Sequence, residues 1–386
     1  MQQQFQAPRL LESLTPGSLV SKRYEIVSVV DSGTFFTCFK ALDRVEQSQV
    51  VHVNVLHTQT LSKELFLASS ADIRKLPLFS HPGIAEVLEM NLTQEGLFFI
   101  VSKTKDATSI SRKLQHKSYL DKSTFTTTPR PLPLKSSIEI LLQIAEALDE
   151  AHEKGFFHWN LKPSNILLPD KPFIINMGLS QFLHRLATEE QSTKVIGTPE
   201  YLSPEQILRK DLDARVDVYA LGILGYELVV ASPPFWGDPQ RVLTMQVSEA
   251  LPEFSDASAG IPKWYEAVIR AATEKDAENR FYSMAEFSAA LLEYCERFGI
   301  EVGSPTPKED FTYMGDPSET QHSSGTRPRV QSSLSLESSV LDSSAQSKFQ
   351  GIETSFVEEK PSPTKQRTVY ERLPAMPFKL KNAKEC

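Results

Sequence analysis

His158-Trp159-Asn160-Leu161-Lys162-Pro163-Ser164-Asn165 is the stretch on which the reading of this chain turns. It carries one ammonium, Lys162, and two carboxamides, Asn160 and Asn165, but no carboxylate. A carboxamide can hydrogen-bond a hydroxyl, yet it is no useful general base near neutral pH. Just upstream, Ser136 to His152 places Ile138, Leu141, Leu142, Ala145 and Leu148 at helical spacing, which predicts an amphipathic helix leading into the octapeptide.

The whole chain has 386 residues, 40% hydrophobic and 23% charged, the profile of an ordinary globular protein with room for one large domain and extra sequence. Its net charge of −8 and the lack of a Lys/Arg run exclude general nucleic-acid binding. Cys38, Cys295 and Cys386 show no metal-ligand spacing and suit a reducing compartment. The Gln-rich start has no apolar signal core. The longest apolar run, Val218 to Ala231, contains Glu227 and is too short to span a bilayer. The expectation is a cytoplasmic protein without a membrane span.

Outward from the octapeptide the chain divides by pattern. Residues 1–21 read as a flexible lead-in. Residues 22–102 form a first lobe: alternating strands over 22–60, a helix over Leu61–Leu78, and strands near 85–92 and 97–102. Residues 103–135 are a polar, Pro/Ser/Thr-rich, loop-like insertion. Residues 136–298 are mainly helical, and 299–386 form a Ser/Pro-rich tail that is expected to be disordered because it cannot bury enough surface. The last twenty residues are less polar than the rest of that tail and could serve a partner. Strands followed by helices imply an α+β domain.

An ordered series of motifs over roughly 22–298 resembles the Hanks-type Ser/Thr protein kinase family of the bacterial kind. The octapeptide is similar to H-R-D-L-K-P-x-N. His81-Pro82-Gly83-Ile84 resembles the H-P-x-I turn, and Gly197 through Glu205, GTPEYLSPE, resembles G-T-P-x-Y-x-A-P-E. Asp217-Val218-Tyr219-Ala220-Leu221-Gly222 and the segment Glu274 to Phe281 resemble two further structural signatures of the family. The resemblance implies a two-lobed fold, with a small β-rich N-lobe and a larger helical C-lobe. It assigns structural roles to His158, Glu205, Asp217 and Arg280, with Arg280 paired to Glu205.

The positions that carry chemistry in the family depart from its pattern. Phosphoryl transfer there uses a glycine loop, a strand lysine, metal-binding Asp and Asn, and an Asp base. In Asp31-Ser32-Gly33-Thr34-Phe35-Phe36 only Gly33 of the loop's three glycines survives, with Asp31 adding negative charge where phosphates would lie. Asn54 stands where V-A-I-K has its lysine, and Asp72 near the helix glutamate, while Lys40 is no convincing replacement. Asn160 takes the base position, Asn176 of Asn176-Met177-Gly178 the metal-binding position of D-F-G, and Trp159 the arginine that reads a phosphorylated activation segment. Lys162 and Asn165 are retained. ATP and Mg²⁺ are thus expected only if residual binding through Gly33 and Asn165 survives, and no metal site is expected.

These departures point to an inactive pseudokinase acting as a regulatory or scaffolding module for a protein partner, which could be a kinase or a secretion component. An active but unorthodox Ser/Thr kinase is the alternative. A secreted bacterial effector is another, since the short degenerate chain with its polar tail also resembles, in style, a chlamydial kinase-like protein associated with type III secretion.

Overall fold

The computed structural model describes residues 14–303 apart from 33–34, 47–48, 58–62, 94–96, 120–124, 190–194 and 255–259. Gly33, most of the lead-in and nearly all of the expected tail lie outside the described residues.

The first lobe is an antiparallel sheet. β1 (Leu19–Val20), β2 (Tyr24–Ser32), β3 (Phe36–Asp43) and β4 (Gln49–Leu56) run in succession. After α1 (Lys63–Ser69), β5 (Val87–Leu92) and β6 (Phe98–Lys103) complete the order β1-β2-β3-β4-β6-β5. The lead-in therefore does not extend to residue 21, because Leu19 and Val20 pair with Glu25 and Tyr24. Successive strand residues face opposite sides. Val51, Val53 and Val55 join Phe39, Ala41, Phe99 and Val101 in one core. Leu56, Phe98 and Ile100 face the other way, into the core shared with the second lobe. His52 and Asn54 lie on that second side by the same alternation.

The helix expected over Leu61–Leu78 is much shorter. α1 stops at Ser69, turns follow, and a single 3₁₀ turn spans Leu76–Leu78. Ser69, Ser70 and Asp72 are poor helix-interior residues, and Pro77 cannot donate to the helix and crowds the turn before it. Ile73 and Leu76 nevertheless stay buried, while Asp72 is exposed.

The insertion is not a bare loop. It contains β7 (Thr108–Ser109), a one-turn helix α2 (Ile110–Lys113) and a hairpin of β8 (Gln115–Tyr119) and β9 (Phe125–Pro129). Ile110 and Leu114, four apart, are both buried and anchor α2 to the core. β7 pairs with β10 (Ile166–Leu168), which pairs in turn with β11 (Phe173–Ile174).

The second lobe is helical. α3 (Leu134–Glu153) leads into the octapeptide, and α4 (Leu179–Glu189) follows β11. Then come α5 (Pro204–Leu208), α6 (Arg215–Val230), α7 (Pro239–Ser248), α8 (Lys263–Ala272) and α9 (Met284–Arg297). α5 starts with a capping box: Gln206 Oε1 accepts from the Ser203 backbone N–H, with Pro204 in the first turn. α6 is buried on every face from Val216 to Val229, as a central core helix must be. Gly222 lets α8 approach, since a Cβ there would lie 2.7 Å from Thr273 and 2.9 Å from Ala272.

Candidate functional site

Asp217, at the start of α6 and fully buried, organises the octapeptide. Its carboxylate lies 2.9 Å from His152 Nε2 and accepts from the backbone N–H of His158 at 2.8 Å and of Trp159 at 2.7 Å. His158 Nδ1 accepts from the Asn160 N–H, so its Nε2 carries the proton and donates to the Ile175 carbonyl at 3.0 Å. Burial pushes the His158 pKa down and keeps the ring neutral.

Trp159 has a left-handed backbone, φ 52°, uncommon for a bulky residue. Its neighbours hold it there. The indole stacks on Phe157 at 5.4 Å, meets His184 edge-on at 5.6 Å, and donates through Nε1 to the Asp213 carbonyl. Its own carbonyl accepts from Gln206 Nε2. A packed aromatic ring occupies this position in place of a mobile cation.

Three asparagines that the sequence places 122 and 11 positions apart form one chain of bonds. Asn54 Nδ2 donates to Asn176 Oδ1 at 2.9 Å, Asn176 Nδ2 donates to Asn165 Oδ1 at 3.0 Å, and Asn165 Nδ2 donates to the Asn160 carbonyl at 2.8 Å. The last acceptor fixes every amide. A carbonyl only accepts, so Asn165 must turn its NH₂ toward it and its oxygen toward Asn176, and the same logic then orients Asn176 and Asn54. The carbonyl oxygens of Asn165 and Asn176 thereby each accept one N–H. Asn54 Oδ1 is left buried without a partner.

Asn160 Oδ1 lies 3.3 Å from Thr198 Oγ1, the hydroxyl donating. Lys162 is half-buried, and desolvation lowers its pKa while the nearby charges of Asp31 and Glu200 oppose that shift. Arg280 donates to both oxygens of Glu205, at 2.6 and 2.8 Å, and to the carbonyls of Glu274, Lys275 and Arg215. Both side chains are buried.

Two contributors were missed in the sequence. His52, the residue two before Asn54, is buried with Nε2 3.2 Å from Thr104 Oγ1 in the segment between the lobes. Desolvation brings its pKa down to about 4, with Lys40 on the neighbouring strand adding to the shift. α4 is the second. Leu179, Phe182, Leu183 and Leu186 fall at i, i+3, i+4 and i+7 and are all buried, with Phe182 stacked on Phe98 of β6 at 4.1 Å. That apolar period was legible. Gly178, φ 77°, makes the tight entry to α4; a Cβ there would sit 2.5 Å from Leu76.

The protein kinase domain model matches residues 24–294. The chain belongs to the protein kinase domain family. A serine/threonine-protein kinase PknB from Mycobacterium leprae is 30% identical over 72% of this chain and 44% of its own length. A probable serine/threonine-protein kinase PknB from Bifidobacterium longum is 27% identical over 81% of this chain and 45% of its own. This kinase-family chain thus spans less than half the length of these relatives. The crystal structure of the Mycobacterium tuberculosis PknI kinase domain superimposes with a TM-score of 0.54, at 21% identity, over 73% of this chain and 99% of that one, which shows the shared fold.

The family normally uses ATP and Mg²⁺, and this kinase-family site does not fit them. The family holds its metal with an Asp and an Asn; here the Asp position is Asn176, a neutral oxygen that accepts from Asn54, and the oxygen of the retained Asn165 accepts from Asn176. Asn54 brings no cation to a phosphate, and Asp72 is exposed rather than turned inward.

Proposed function

We propose that this kinase-family chain is a pseudokinase: a module that binds a protein partner without transferring phosphate. The observation that carries the reading is the amide chain Asn54–Asn176–Asn165, which puts protein hydrogen bonds where phosphoryl transfer needs a cation and two metal ligands. Loss of the base at Asn160 alone costs on the order of 10²–10⁴-fold in rate. Loss of metal ligation removes several kcal/mol of charge stabilisation in addition, although such losses do not simply add.

The partner-binding part of the reading rests on what is kept. Glu205–Arg280, Asp217 and the GTPEYLSPE segment hold the surface beside the octapeptide in a defined shape. Tyr201 of that segment donates to Glu227 at 2.6 Å, and Gln246 of α7 donates to the carbonyls of Pro199 and Glu200. We take the partner to be a protein and the compartment to be cytoplasmic, with export through a type III system as the alternative.

A second reading, an unorthodox Ser/Thr kinase, is favoured by Lys162, by the Thr198–Asn160 contact and by the names of the relatives. Transfer of radiolabel from γ-labelled ATP to protein substrates and to the chain itself separates the two. The pseudokinase reading expects none above background, and transfer that disappears in Lys162→Ala would overturn it.

A further inference from the structure

Among the described residues, the outer edge of β2 is paired only over its first three residues. β1 pairs only with Tyr24 and Glu25, and the last bonds on that side run from the Ile26 N–H to the Ser18 carbonyl and from the Gly17 N–H to the Ile26 carbonyl. From Val27 to Ser32, among the described residues, β2 is paired only with β3. A bare strand edge is usually protected by charge or proline. This one instead shows Val27, Val29 and Val30 at 41%, 59% and 49% exposure. Val29 lies opposite Phe39, so its face continues the core built by Ile26, Phe39 and Ala41. Register shifts between Ile26 and Ser28 and between Val29 and Asp31 interrupt the regular ladder along this strand.

We propose that the C-terminal segment Ala375 to Lys381 of this same chain adds as that strand. It lies outside the described residues, and its sequence fits the edge in three ways. Met376, Phe378 and Leu380 alternate with Pro377, Lys379 and Lys381, a period of two with one apolar face. Alternate residues of an edge strand turn their backbone groups outward, so Pro377, which has no N–H, is tolerated there while Met376, Phe378 and Leu380 bond to β2. Their side chains then extend the face that carries Val29, and Lys379 and Lys381 fall on the face of Asp31, which pairs opposite Cys38. Charge agrees: residues 367–386 hold five Lys and Arg against two Glu in a chain of net charge −8. The 72 residues from Gly303 to Ala375 reach up to about 240 Å extended, so the connection sets no limit on reach.

Hydrogen–deuterium exchange on the full chain tests this. Those amides of Val27 to Ser32 that do not bond to β3 are expected to exchange about tenfold more slowly than in a full-length Phe378→Asp/Leu380→Asp variant, with β4 amides unchanged between the two. Phe378→Pro, which removes one inward donor and no charge, is expected to give the same loss. The protection is also expected to survive a roughly fiftyfold dilution, since an intramolecular strand is held at its own effective concentration. Equal exchange in all three chains would overturn the proposal, as would an effect of the Asp variant without one of Phe378→Pro. Protection that fades on dilution would assign the edge to a second copy instead.

Discussion

Asn54 of β4 donates to Asn176, just beyond β11, across 2.9 Å, so a hydrogen bond between two side-chain amides joins the two lobes. In the buried core between the lobes Phe98 of β6 stacks on Phe182 of α4. The lobes are tied by the chain's own side chains, at the positions from which the family draws its metal and phosphate contacts.

The amide chain makes an ordering of stabilities. Asn176→Ala removes the donor to Asn165 and the acceptor of Asn54 together, leaving two buried polar groups unpaired; each costs about 1–3 kcal/mol. Asn54→Ala leaves only Asn176 Oδ1 unpaired and also removes the orphaned Asn54 Oδ1. Urea unfolding midpoints are therefore expected to fall further for Asn176→Ala. The reverse order would contradict the bonding pattern.

Restoring one group does not restore the site. Asn160→Asp supplies a base but leaves Asn54 and Asn176 as amides. Its transfer of label from ATP is expected to stay at background, and robust phosphorylation by this single variant would refute the claim that Asn54 and Asn176 also disable the site.

The Glu205–Arg280 pair is buried, bidentate and further bonded to three carbonyls. Arg280→Ala strands the Glu205 carboxylate in the core and is expected to cost about 3–5 kcal/mol. Chemical denaturation measures it; a loss below about 1 kcal/mol, the range of exposed pairs, would mean the pair is more hydrated than its burial shows.

His52 gives a pH dependence. Its folded pKa, about 4, lies below the ordinary value of 6.5 because burial disfavours the imidazolium. The unfolded chain then binds the proton more readily between those values, so the His52 contribution is present above pH 6.5 and is lost as pH falls toward 4. For a group this buried the loss is at most about 3 kcal/mol. His184, also brought down to about 4 by burial, acts in the same direction, while Glu227, raised to about 7, opposes both. His52→Gln is expected to flatten the decline in melting temperature between pH 6.5 and 4, and an unchanged slope would show that His52 does not titrate there.

The backbone of this account was legible because motif spacing is local. His158, Asp217, Glu205 and Arg280 sit in short signatures, and the substitutions at Asn54, Asn160 and Asn176 could be read from their neighbours. What those residues bond to was not legible, since the Asn54–Asn176 contact spans 122 positions and follows from how the lobes close. α1 came out too long because the apolar residues Ile73 and Leu76 remain buried after the helix has ended. The insertion came out too plain because its Ser and Thr content hid the anchors Ile110 and Leu114. α4 carried a clear period that the family resemblance overshadowed.

The central claim is that Asn54, Asn176 and Asn165 bond one another and offer metal-bound nucleotide neither a cation nor a carboxylate. A thermal-shift titration of the full chain with ATP, with and without Mg²⁺, addresses it most directly. A ligand at a hundred times its Kd stabilises by about 2.7 kcal/mol, a shift of several degrees for a domain of this size. The amide-filled cleft predicts no Mg²⁺-dependent shift. A rise of several degrees with ATP that requires Mg²⁺ would contradict it, because a metal would then be taking the oxygen that Asn165 gives here to Asn176 and the one that Asn176 gives to Asn54.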